Sequence, residues 1–413
     1  MSRERLSLKF FAGVLLLVFL LLYYFTPYYS FLTNNMDKAL MRLTLGLGGL
    51  LVLSDMVICN KRIPTLNVMS PLAIFFIYIV LNGLFLAEEL KSIRRAVFLM
   101  ALILIIVNVS FSRQFWINCL RVFTVFSSAM AFFSLVNLSL NGMMATGYRE
   151  LGLEGSGLEG VADFGNTIVA GMHYGMAFSS ALFLYFTERS KKTLLLWCVL
   201  LIILSCYILL TFARTAWVAC FLVFCVLSVF LYREENRVRY IAPVLSVVSV
   251  FVFFIYNYAG YEVSGRGLTR RDEIWANAWS KSLEHLWFGH GADSALEPLL
   301  ISSGEIINNT HSVYLGVIYN YGIVGLGLFL FLISYTLVTL FKARKLTEYG
   351  EVAVFWMATL IACIVVMLVE LNELIHTPNM LWHWLWMPVA FSAFCAKKIN
   401  SIATGSNLRD VKL

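Results

Sequence analysis

Residues 309–330 read NTHSVYLGVIYNYGIVGLGLFL. A short polar run, Asn309-Thr310-His311-Ser312, gives way to a long segment without a charge, the pattern of a helix entering a bilayer. Comparable apolar runs recur along the chain. Of its 413 residues, 60% are hydrophobic and only 13% are charged, where a soluble domain carries about a quarter charged residues. Inside hydrocarbon every backbone N–H and C=O must be bonded within its own structure, so the runs must be helices or barrel strands. They are too long and too continuously apolar for barrel strands, which alternate over about ten residues. The sequence predicts an all-α integral membrane protein, a bundle of about twelve transmembrane helices.

The expected spans are 9–26, 39–59, 68–87, 93–112, 117–139, 167–186, 194–212, 215–232, 239–257, 322–341, 352–370 and 380–396. The first follows Arg3, Arg5 and Lys9, as in a signal peptide. It runs into Tyr23, Tyr24, Phe25 and Pro27 rather than a small-residue cleavage site, and reads as a retained helix. Three regions result: residues 1–257 with nine helices, a long polar loop over 258–321, and residues 322–413 with three helices and a tail.

The net charge of +7 does not indicate nucleic acid as a partner, because most of the 31 Lys and Arg sit in short loops at helix ends. There they report topology. With the N-terminus in the cytoplasm, Lys61, Arg62, Arg113, Arg121, Arg189, Lys191, Lys192, Arg344, Lys345, Lys397 and Lys398 share one side, and the 258–321 loop falls on the other. Lys91, Arg94 and Arg95 stand on the wrong side of this count, offset in part by Glu88 and Glu89; either their loop is functional or the third and fourth helices are misplaced, and the first is favoured because the other loops alternate correctly. The eight cysteines all lie in or beside apolar runs, so neither a disulfide framework nor a zinc site is expected. The Gly-rich stretch between Asn141 and Asn166 reads as a flexible loop.

The candidate functional residues gather on the side of the long loop. His311, where that loop meets a helix, has a pKa suited to moving a proton near neutrality; the plain alternative is a helix-start histidine satisfied by nearby backbone. Arg266, Arg270 and Arg271 have the fork geometry that grips phosphate, against the alternative of a solvated basic turn paired with Asp272 and Glu273. At least one should be functional and one merely solvated. Arg214 sits in a very short turn between two apolar runs, where an ionisable residue is costly and usually functional, though an arginine there can also snorkel to the surface. Glu370 and Glu373, with His376, cluster at the outer end of the eleventh helix, where they would orient the histidine, bind sugar hydroxyls, or be interfacial polar groups and no more. Residues 270–286 (RRDEIWANAWSKSLEHL) carry an apolar stripe of Ile274, Trp275, Ala278, Trp279, Ser282, Leu283 and Leu286 at helical spacing, which fits a helix at the headgroup level with Arg271 on the same face. His383, among tryptophans, reads as interfacial, His173 as a core polar contact, and His285 and His290 as loop residues without an obvious partner. An anionic, lipid-linked substrate suits this set.

Several of these motifs resemble the O-antigen ligase and polymerase superfamily. Arg271-x-x-x-Trp275 followed by Phe288-Gly-His-Gly resembles the start of its signature region. His311-Ser312-x-x-Leu315 with the Gly-rich helix from Tyr321 resembles its end. Ala213-Arg214-Thr215-Ala216 resembles the arginine that follows an upstream helix. The specific likeness covers about Thr211 to Leu330. Family members often carry a proline after the histidine that precedes the FGHG-like turn; here Leu286 and Trp287 follow His285.

The resemblance implies an inner-membrane bundle with a large periplasmic loop containing short helices, and an active site facing the periplasm. It implies inverting glycosyl transfer, without metal or other cofactor, from an undecaprenyl-diphosphate-linked glycan to a lipid A–core sugar. The family's essential residues fall on Arg214, Arg271 and His311, with Arg266 and Arg270 as further diphosphate ligands. The single loop bearing Arg and His favours a ligase. A polymerase is the alternative: Arg149 and Gly160 fit an Arg-x10-Gly spacing, with no second copy in the 258–321 loop. Transfer to protein is a third. A transporter of lipid-linked glycans would suit the helix count, but no internal repeat is visible.

Overall fold

A computed structural model describes residues 2–28, 34–58, 66–87, 90–109, 111–141, 152–153, 156, 161–162, 164–231, 270–300, 306–370 and 373–404. Among these there are twelve α-helices, and the only strands are two short antiparallel pieces, β1 (Leu299–Leu300) and β2 (Ile306–Ile307). The helices are α1 (Ser2–Phe25), α2 (Asn34–Ile58), α3 (Leu66–Phe85), α4 (Lys91–Asn108), α5 (Arg113–Leu140), α6 (Thr167–Thr187), α7 (Lys191–Leu210) and α8 (Arg214–Leu231). After the undescribed stretch come α9 (Arg271–Ser282), α10 (Val313–Ala343), α11 (Gly350–Val366) and α12 (Met387–Ala403).

Among the described residues, seven helices are long and apolar enough to cross a membrane: α1, α2, α5, α6, α7, α8 and α10. With the shorter apolar helices they make a multi-pass membrane protein. Side chains such as Leu50, Phe85, Val122 and Leu195 point outward from them, as expected where lipid replaces water. The core side is aromatic and dense around α6, whose residues from Ala170 to Phe186 are all buried. The expected ninth span, 239–257, Arg266, the Arg149–Gly160 spacing and most of the Asn141–Asn166 loop lie outside the described residues.

Three expectations are corrected. First, α10 starts at Val313 rather than at 322, because the polar Asn320 and Tyr321 belong to a separate first section. The helix breaks at Gly322, where φ is +67°. A break inside a membrane helix frees backbone groups that must find partners, and here the turn over residues 286–291 supplies them. His290 and Gly291 donate their N–H groups to the carbonyls of Tyr319 (2.8 Å) and Asn320 (3.1 Å), while Ile323 and Val324 donate to the carbonyls of Leu286 (2.9 Å) and Trp287 (3.3 Å). Only glycine fits this contact: a Cβ on Gly322 would stand 2.2 Å from the Trp287 carbonyl oxygen, and one on Gly289 2.4 Å from the Asn320 carbonyl carbon. From α3, Asn82 brackets the turn. Its amide donates to the Phe288 carbonyl (2.8 Å) and its oxygen accepts from the Ala292 N–H (2.8 Å).

Second, α11 stops at Val366, so Glu370 lies in the turn beyond the helix, not within it. Third, His383 is not interfacial. It lies in a widened helical turn, Trp382–Trp386, is 2% exposed, and packs against Tyr23, Tyr24 and Phe123. The tryptophans beside it line the core instead of a headgroup layer. His173 is a core residue as expected, among Tyr28, Phe123 and Phe164.

Candidate active site

The three strongest sequence candidates each stand at a helix start. Arg214 is the first residue of α8, Arg271 the first of α9, and His311 lies two residues before α10. A helix N-terminus carries about half a positive charge and unpaired N–H groups, so it favours an anion and disfavours a cation. Two arginines at such ends are electrostatically misplaced unless an anion is near. Glu370 supplies one, besides Asp272 and Glu273 in the first turn of α9. Its carboxylate pairs with the Arg271 guanidinium, both largely buried, and it also feels the charge of Arg214.

Local sequence fixes each of the three. Before Arg214, Phe212 takes the left-handed conformation (φ +54°), and the Thr211 hydroxyl accepts from the Ala213 N–H (3.3 Å). The small residues around the arginine let α6 come close, since a Cβ on Gly171 would stand 2.7 Å from that of Ala213. Arg270, also left-handed (φ +59°), turns the chain into α9. There Ile274, Ala278 and Ser282 face inward, and Ala278 packs with Tyr319 and Leu315 of α10. The expected apolar stripe thus divides: Trp279 and Leu283 face outward with Trp287 and Phe288, which suits contact with lipid headgroups.

His311 is held in a left-handed conformation (φ +45°). Such backbone costs about 1–3 kcal/mol and persists where its surroundings over-determine it. Here the Asn309 side chain accepts from the His311 N–H (3.3 Å), Ser312 caps α10 at Leu315, and the Val313 N–H reaches the Met367 carbonyl (3.0 Å). The last contact ties the start of α10 to the turn after α11, which carries Glu370. Burial and the neighbouring Arg271 guanidinium hold the His311 imidazole below its ordinary value. Burial pushes the Glu370 carboxyl up, while Arg271 and Arg214 pull it down.

The remaining candidates separate. Arg270 pairs with Glu273 (2.9 Å) and is half exposed, the solvated member of the basic turn. Glu373 contacts Arg95 (2.8 Å) and His376 (3.5 Å). Arg95 also reaches Asp293 (3.2 Å), whose other oxygen accepts from the Ser92 N–H. The out-of-place basic group thus lies in the first turns of α4 rather than in a loop, and through Arg95 it is a junction joining α4, the loop after α9, and the turn after α11. Sequence reasoning flagged that group but named neither Arg95 nor Asp293 for the site; the charge anomaly was the available signal. His290 does have partners: it stacks on Tyr319 at 4.2 Å and lies 4.0 Å from Glu284.

A helical multi-pass membrane protein that gathers two arginines, a glutamate and a histidine at one face has the makings of an anion-handling membrane enzyme. Residues 198–330, which include Arg214, Arg271 and His311, match the family model described as O-Antigen ligase. The likeness to that family is carried by this region of the chain. Over 128 residues it is 31% identical to a Pseudomonas aeruginosa protein named O-antigen ligase, a match that covers 31% of this chain and 31% of that protein. The chain thus spans about a third of the length of the curated relative it matches.

Proposed function

We propose that this protein is an O-antigen ligase of the bacterial inner membrane. It transfers a glycan from undecaprenyl diphosphate to a sugar hydroxyl of lipid A–core. The observation that carries this reading is the meeting of three helix starts around Glu370, with two arginines and a histidine whose neutral form is favoured. Arg214 and Arg271 bind the diphosphate and stabilise its charge as the glycosidic C–O bond breaks. His311 takes the proton from the acceptor hydroxyl while that oxygen bonds to the anomeric carbon. Undecaprenyl diphosphate leaves from the opposite face, so the anomeric configuration inverts. Glu370 is a positioning residue that aims Arg271. Arg270, already paired with Glu273, makes a lesser contribution to the diphosphate.

The site faces the periplasm in this account, in a bundle of about twelve spans with the long loop outside. Supporting this, Arg113, Arg189, Arg344 and Lys345 line one common cavity near the far end of α10. At about 1.5 Å per residue, the 31 residues of α10 set that end far from His311.

Deletion in the Gram-negative host, followed by gel analysis of lipopolysaccharide, tests the reading. Loss of all glycan-capped lipopolysaccharide, with long glycan left on the carrier lipid, supports the ligase. Core bearing a single repeat unit would instead mean a polymerase, and an unchanged pattern would remove both readings.

A further inference from the structure

Beside the Asn308–Thr310 segment that leads into His311 lies a cavity of about 180 Å³. Its walls include Asp293, Asn309, Thr310, Asn320 and Glu373, with Gly316 and Val317 as an apolar strip. Neither Arg214 nor Arg271 lines it. From the reading of this protein as a glycosyl transferase, we infer that this cavity is the subsite for the acceptor sugar, holding one pyranose ring beside the proposed base.

Chemistry and size agree on such an occupant. The side-chain oxygen of Asn320 is buried and has no hydrogen-bond partner. A buried polar atom left unpaired costs free energy and calls for a ligand group or water. Carboxylate and amide groups together accept from and donate to hydroxyls, as sugar recognition requires. The Asp293 and Glu373 carboxylates share the Arg95 guanidinium. Among the described residues the cavity wall carries these two carboxylates and no Lys or Arg, which disfavours a phosphate and separates this cavity from the arginine pair around Glu370. The volume is well below the roughly 300–1,000 Å³ of sites for larger ligands, so it suits one ring and not a chain.

Position adds the functional link. Asn309 and Thr310 directly precede His311, and Asn309 holds its backbone. Asn320 sits next to the helix break at Gly322. A ring held here lies against the segment that leads into the histidine, while the diphosphate lies with the arginines.

The test uses the full-length protein in detergent or proteoliposomes. Asn308, an exposed residue on the rim, is changed to cysteine (Asn308→Cys), and alkylation of the new thiol by a small maleimide is timed against the unsubstituted chain. Soluble core oligosaccharide freed from lipid A should slow labelling at least fivefold, and undecaprenyl diphosphate should not. In parallel, Asn320→Leu should raise the KM for the acceptor about tenfold, the scale of one or two lost hydrogen bonds, and leave the KM for the lipid-linked donor unchanged. Absence of protection by the oligosaccharide, equal protection by the carrier lipid, or an Asn320→Leu defect confined to kcat would each overturn the subsite. The two readings fail separately. If the unsubstituted protein transfers no glycan to core, the transferase reading falls; if it transfers but the oligosaccharide gives no protection, the subsite alone falls.

Discussion

Arg271, at the start of α9, is paired with Glu370, which lies 99 residues further along the chain in the turn after α11. Through this pair a helix of the long polar loop is joined to the membrane bundle. It also sets a guanidinium beside His311. Removing the Glu370 charge should loosen Arg271 without removing it. Glu370→Gln is expected to lower kcat by about 10-fold and Arg271→Ala by about 10²–10³-fold, the range for losing a donor to developing negative charge. Arg270→Ala should stay within about twofold, because a half-exposed ion pair contributes little. Rates of glycan transfer at matched protein levels decide this; equal losses at Arg270 and Arg271 would contradict the assignment.

The pH dependence follows from His311. Its pKa is lowered, first by burial and then by the Arg271 charge. The neutral, proton-accepting form therefore persists further into acid than for an ordinary histidine near 6.5. The acid limb of kcat/KM should lie below that value. In Arg271→Gln, measured on its residual activity, the limb should move up, since a repelling positive charge is gone. A limb that stays put would show that the arginine does not act on this base.

Gly322 and Gly289 join the broken helix to the Phe288–Gly291 turn. Gly322→Ala puts a methyl against the Trp287 carbonyl at a left-handed position, and should cost about 1–3 kcal/mol or more. Thermal melting of the purified protein in detergent measures it. Gly327 has open space around it, so Gly327→Ala is the control and should melt at or slightly above the unsubstituted protein.

Arg95 should behave as a junction. Arg95→Ala leaves Asp293, which is 10% exposed, as an uncompensated buried charge, a change worth about 3–5 kcal/mol. Adding Asp293→Asn should recover part of that loss. Melting temperatures of the single and double variants give the coupling directly, and strictly additive losses would argue against the pair.

How much of this was legible follows from what each residue must satisfy. The helices were legible because hydrocarbon forces long apolar runs to bond their backbone internally. The place of His311 just before a helix was legible because a polar run there meets an apolar one. The split between Arg270 and Arg271 could be expected in kind, but not assigned, since only the fold shows that one arginine meets Glu273 and the other Glu370. The break at Gly322 was hidden by continuous hydrophobicity, as its signal is a backbone angle and a partner turn more than thirty residues upstream. His383 misled because tryptophans usually mark an interface, and here residues of α1, α3 and α6 pack against them. Arg95 was visible only as a fault in the charge count.

The most direct measurement reconstitutes the purified protein with an undecaprenyl-diphosphate-linked glycan and lipid A–core, and follows capped lipid by gel. The unsubstituted chain should form it, and His311→Ala should form it about 10²–10⁴-fold more slowly while remaining folded. Capping by His311→Ala at the unsubstituted rate would contradict the central claim.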